Sequence, residues 1–256
     1  MVKLKKIILI VYGIVFLMLN CEDFNLGNDL EDPTPPSPPK FIPQSLPSDT
    51  IQTGIGPAEY VRGIYLEWYR NQESDIGGYY IYRAENSADS TFELLDTVEV
   101  YTNIYESNYY IDTLVSYYTY YFYFITAYDY GKNESDHSDT IRYMLTEKVD
   151  LVAPDGKMSE KIDNFTWYDF ANLTNEYVIE LESLHDNKTI WLARFYRPDF
   201  GDSEQKIKFN FDDQAKINTF ERNKIYRWRI HSIAIVDEHN RDICGSKSNW
   251  NYFSLE

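Results

Sequence analysis

"YYTYYFYFITAYDYGKNES" (117–135) decides how this chain is read. All but one of its first eight residues are aromatic. Side chains of a β-strand switch faces at every residue. Tyr121, Tyr123, Ile125 and Ala127 therefore share one face, and Tyr120, Phe122, Phe124, Thr126 and Tyr128 share the other. The run ends in Asp129, Gly131 and Asn133, residues that favour turns. A strand that is apolar on both beats is either covered on both faces or offers one of them to a partner.

Working outward, the same grammar repeats. Short runs with period two, "GIYLEW" (63–68), "GYYIYR" (78–83), "FELLDTVEV" (92–100) and "TIRYML" (140–145), alternate with stretches rich in Asn, Asp, Gly and Ser. No helical period of useful length interrupts them. The second half carries a parallel set in "NFTWYDF" (164–170), "EYVIELE" (176–182) and "IYRWRIHSIAI" (225–235). Trp68 and Trp167 stand about 100 residues apart, the size of one immunoglobulin-like sandwich. The expectation is an all-β chain of two tandem sandwiches, 41–148 and 149–256, joined near "LTEKVDLVAP" (145–154).

The 256 residues carry a formal net charge of −17, with 24 Tyr and 14 Phe. That much ring area belongs to a folded chain. The acidity speaks against nucleic acid, which needs clustered Lys and Arg.

The first 40 residues read differently. Lys3, Lys5 and Lys6 precede "IILIVYGIVFLML", an apolar run of signal-peptide length and short for a membrane span. "MLNC" follows and resembles the lipobox of bacterial lipoproteins, which implies cleavage after residue 20 and a lipid thioether on Cys21. Residues 21–40 are acidic and then Pro-rich, and read as a disordered tether. The expected setting is an extracytoplasmic lipoprotein of the outer membrane, anchored in the bilayer through Cys21. Glu22 and Asp23 behind the Cys resemble a surface-export signal and add cell-surface display to the expectation. With Cys21 lipidated, Cys244 has no disulfide partner and reads as a small apolar filler.

The residues from "IYLEW" through "DIGGYYIYRAE" to "YYIDTLVSYYTYYFYFITAYDYGKNES" resemble a fibronectin type III domain. The second half is similar to the fibronectin-like modules of bacterial surface lipoproteins, through Phe165 and Trp167, "YRWRI", and Ser248, Trp250 and Phe253. The resemblance implies a sandwich, a core face at Tyr121, Tyr123, Ile125 and Ala127, and Tyr121 as the tyrosine of the corner. It implies a non-catalytic spacer or interaction role and names no ligand.

With that face inside, Tyr80, Tyr82, Tyr120, Phe122, Phe124 and Tyr128 make an outer aromatic patch, the candidate binding face. Three readings stand open. The second domain or segment 41–60 covers it; the rings form a stabilising ladder; or it meets a protein partner or a polysaccharide, whose rings stack on Tyr. On the second domain, Arg227, Arg229 and His231 face Glu176, Glu180 and Glu182, and are expected to form solvated ion pairs. No catalytic elbow, phosphate loop or zinc spacing appears. "VDEHNRDIC" (236–244) reads as a hairpin loop. The expectation is no enzyme, no cofactor and no metal.

Overall fold

The computed structural model describes residues 33–43, 54–100, 108–171, 173–234 and 244–256. The expected signal peptide, Cys21, most of the expected tether and most of "VDEHNRDIC" lie outside them. Pro35–Glu256 forms one compact unit.

The described residues are all-β, with no helix among them. The first half runs β1 (Lys40–Phe41), β2 (Ile55–Pro57), β3 (Ile64–Tyr69), β4 (Ile76–Glu85), β5 (Glu93–Glu99), β6 (Tyr109–Asp112), β7 (Tyr120–Asp129) and β8 (Ile141–Leu145). The second runs β9 (Asp150–Ala153), β10 (Gly156–Met158), β11 (Asn164–Tyr168), β12 (Glu176–Ser183), β13 (Lys188–Tyr196), β14 (Glu204–Lys208), β15 (Ile225–Ile233), β16 (Cys244–Lys247) and β17 (Asn251–Leu255). Every run read as a strand from the sequence is one.

In the first half, β1, β2 and β6 pair with β3, and β5-β4-β7-β8 form the facing sheet. Inward residues of both sheets make one cluster: Ile64, Leu66 and Trp68 against Tyr79, Ile81, Tyr121, Tyr123, Ile125 and Ala127. In the second half, β14-β11-β9 faces the sheet holding β12, β13 and β15. A second cluster fills the space between, from Phe165 and Trp167 to Tyr177, Trp191, Trp228 and Phe253.

The halves repeat in detail. Tyr121 OH accepts a hydrogen bond from Ser116 N at 3.0 Å, and Tyr226 OH accepts one from Glu221 N at 3.1 Å. Both are tyrosine corners, five residues back along the chain. Ile125 N donates to Ser138 Oγ at 3.0 Å and Ile230 N to Ser248 Oγ at 3.1 Å. The serines of "GKNESDHS" and "SNW" thus satisfy backbone groups of β7 and β15 where a neighbouring strand would. Trp68 sits edge-on to Tyr79, and Trp167 edge-on to Tyr177.

The end of the tether differs from its reading. Pro36 and Pro39 are buried, Ser37 N donates to Glu73 Oε1 at 2.7 Å, and Asn71 Nδ2 donates to Ser37 O at 2.7 Å. Proline has no N–H to lose, so these residues dock without an orphaned donor.

The large sheet does not stop at the boundary between halves. β8 pairs in parallel with β16, Met144 opposite Cys244 and Leu145 opposite Gly245. Thr146 N donates to Gly245 O at 2.9 Å. Strands β5-β4-β7-β8 therefore continue through β16 into β15, β12 and β13 as one ten-stranded sheet. A Cβ on Gly245 would lie 2.1 Å from Ser232 O, so only glycine lets β16 lie this close to β15.

Candidate functional site

The six predicted patch residues do share the outer face of adjacent strands. β4 pairs with β7, Tyr82 opposite Phe124 and Gly78 opposite Tyr128. The rings stack in pairs, Tyr80 on Tyr128 at 4.5 Å and Tyr82 on Phe124 at 4.7 Å between centroids. Phe92 and His137 also pack on Phe124, at 4.7 and 5.1 Å. Tyr128 is only 3% exposed and Phe122 9%. Tyr128 lies flat over Gly77 and Gly78: a Cβ on Gly77 would come within 2.8 Å of its ring. Lys132 Nζ caps that ring at 4.4 Å from its centroid.

The patch is therefore a ladder, largely covered by its own chain. After β7 the chain turns back over the face, and Glu134 accepts hydrogen bonds from Tyr82 OH at 3.0 Å and Thr126 Oγ1 at 2.7 Å. Burial, then that carboxylate, pushes the Tyr82 phenol up. Tyr120 goes elsewhere, packing on Met144, Ala234 and Cys244 where the halves meet. Four of the six rings thus each give one face to a partner ring, and Tyr80, Tyr82 and Phe124 keep partial exposure. Alternation along β7 points to none of Phe92, Glu134 and His137; Glu134 and His137 lie in the loop "GKNESDH" that follows an over-apolar strand, and Phe92 opens the run "FELLDTVEV".

Cys244 is buried beside Met144 and Ala234, as a filler would be, and burial pushes its thiol up to about 12. Among the described residues no three His, Cys, Asp or Glu side chains gather as a metal site.

The ionic face of the second half pairs as alternation dictates. Arg227 meets Glu182 at 2.6 Å, Arg229 Nε donates to Glu180 Oε2 at 2.6 Å, and Glu176 pairs with Arg194. Its expected solvation is a correction: Glu180 and Arg229 are 8% and 7% exposed, and His231 is as buried as Arg229. The indole of Trp250 lies over both guanidiniums, 4.0 Å from Arg229 and 4.1 Å from Arg227. Glu59, from the first half, reaches Arg229 Nη1 at 2.6 Å and accepts from Trp250 Nε1 at 3.2 Å. Lys148 Nζ binds Glu59 O and Asn249 Oδ1. Segment 54–63 thus seals what would be a wet face, and a charge cluster locks the two halves.

Buried charge sets the pH response. Burial raises the Glu180 carboxyl, but the His231 hydrogen bond and the Arg229 charge outweigh it and hold it at about 2. Burial lowers the His231 imidazole from 6.5 to about 4, against the pull of Glu180. Between pH 6.5 and 4 the unfolded chain takes up a His231 proton that the folded chain refuses, so stability falls with acid. Below about 4.5 the Glu180 contribution is lost as well. Each pH unit with one proton of difference costs about 1.4 kcal/mol. His231→Gln should flatten the fall of the urea midpoint between pH 6.5 and 4. An unchanged slope in that variant would show that His231 does not set it.

No family model and no curated protein matches this chain. Solved structures do. A Fn3-like protein from Clostridium thermocellum is 19% identical over 43% of this chain and 92% of that one, TM-score 0.30. The FN1–FN3 domains of chicken CNTN1 are 14% identical over 86% and 69%, TM-score 0.32. A two-domain fibronectin type III segment of chicken tenascin is 11% identical over 86% and 97%, TM-score 0.28. These likenesses are of fold alone.

Proposed function

We propose that this chain is a non-catalytic interaction and spacer module made of two tandem fibronectin-type sandwiches. A lipid on Cys21 would hold it outside the cytoplasm, in the outer membrane and exposed at the cell surface. The observation that supports the reading is the joint. A spacer has to keep its far end at a set distance and orientation from its anchor. Two sandwiches on a free linker move independently by default. Here one sheet runs through both halves, and Glu59, Arg229 and Trp250 cross between them. The outer aromatics serve the same end, since their stacking stiffens the sheet that runs through the joint.

The anchor has its own test. In cells, Cys21→Ser should move the full chain from the membrane fraction to the soluble extracytoplasmic fraction. A single acyl chain binds weakly, so loss of all lipid should release nearly all of the protein. Retention of Cys21→Ser in the membrane fraction would refute a lipid anchor at this position.

A further inference from the structure

At the end of the second half away from β16, a cavity of about 440 Å³ opens between the turn 159–163, the end of β14 and segment 218–222. That volume suits a small ligand. Its floor is aromatic: Phe209 and Phe220 meet at 4.7 Å between centroids. Its walls are basic and amide-rich, with Lys161, Lys208, Arg222 and Asn218. Phe209 N donates to Asp163 O at 2.9 Å and Asn223 N to Leu255 O at 2.8 Å, which ties the walls together.

The charge balance there departs from that of the chain. Asp163, the one carboxylate lining the cavity, is paired with Lys161 at 2.7 Å. Nearby acids are engaged elsewhere, Glu221 by Lys224 at 2.9 Å and Glu256 by Lys157 at 2.6 Å. Arg222 donates to a main-chain oxygen of Glu256, which positions its guanidinium at the cavity wall. The Lys208 side chain has no ion-pair or hydrogen-bond partner among the described residues. Two cations over an aromatic floor, in a protein of net charge −17, are a local reversal of sign.

We infer that this cavity binds an acidic saccharide, a carboxylated sugar ring. The ring would pack its apolar face on the partly exposed Phe209, which the buried Phe220 backs. Its carboxylate would take charge-assisted hydrogen bonds from Lys208 and Arg222, and Asn218 would meet hydroxyls. The inference is independent of the spacer reading, since a spacer needs no ligand. It also moves saccharide recognition away from the stacked face of β4 and β7.

Calorimetric titration of the full chain, in a Cys21→Ser background, tests it with glucuronate, glucose and inorganic sulfate. Glucuronate should bind saturably, at least about tenfold tighter than glucose or sulfate, and more weakly as salt rises. Lys208→Glu should lower glucuronate affinity about tenfold or more, while Lys206→Glu, on the same strand but off the cavity, should leave it unchanged. Both lysines are exposed, so both variants should fold, which thermal melts would verify. No saturable glucuronate binding, equal binding of glucose or sulfate, or equal loss in the two lysine variants would overturn the inference.

Discussion

Arg229→Met is expected to destabilise the protein by about 3–5 kcal/mol, the usual cost of stripping one partner from a buried ion pair. The Arg229 guanidinium serves three groups at once: Glu180 at 2.6 Å, Glu59 at 2.6 Å and the Trp250 ring at 4.0 Å. Removing it leaves the Glu180 carboxylate buried with His231 as its remaining neighbour at 3.3 Å. A second change, Glu180→Met, should restore most of the loss, because two apolar side chains of similar size replace a buried pair at little cost. The contact to Glu59 would not return with it. Urea unfolding followed by tryptophan fluorescence reads both variants. A single variant within about 1 kcal/mol of wild type, or a double variant no better than the single, would mean that burial of this pair has been overstated.

The second large effect lies in the first half. Asp112 is fully buried and serves three donors: Arg83 Nη1 at 2.9 Å, Tyr123 OH at 2.9 Å and Leu114 N at 2.9 Å. Asp112→Ala should cost about 3–5 kcal/mol, since it leaves a buried hydroxyl and a backbone N–H without their acceptor and takes from Arg83 its buried carboxylate, leaving it Leu114 O and Glu85. Tyr123→Phe, which removes only one of those donors, should cost about 1 kcal/mol. The ratio is the useful quantity. Equal losses in the two variants would place the energy in the Tyr123 hydroxyl rather than in the hub.

Local pattern accounts for much of this structure. Period-two alternation located β3, β4, β7, β11, β12 and β15 and assigned their inward faces correctly, because burial of a strand face is written residue by residue. The same parity put Tyr80, Tyr82, Phe122, Phe124 and Tyr128 on one outer face, and paired Arg227 and Arg229 with Glu182 and Glu180. What alternation does not encode is what lies on top of a face. Stacking of Tyr82 on Phe124, and the return of Glu134 over both, depend on ring geometry and loop path. Glu59 and Arg229 are 170 residues apart in sequence, and no local motif at either end announces the other. Pro36 and Pro39 were read as tether by composition, which reports the average solubility of a segment and not the pocket that two prolines fill. The cavity beneath Lys208 escaped for the same reason: its lining comes from four separated segments, each unremarkable alone.

The two halves are expected to move as one body. Pulsed electron-spin distance measurements test it most directly, with nitroxides on Thr97→Cys in β5 and Lys188→Cys in β13, both exposed, in a Cys21→Ser background. Cys244 is buried with its thiol pushed up to about 12, so it should stay unlabelled. A locked joint predicts a single narrow distance distribution at pH 7, broadening when Arg229 is replaced by Met. A broad distribution in the unaltered joint, no different from that of the Arg229 variant, would contradict it.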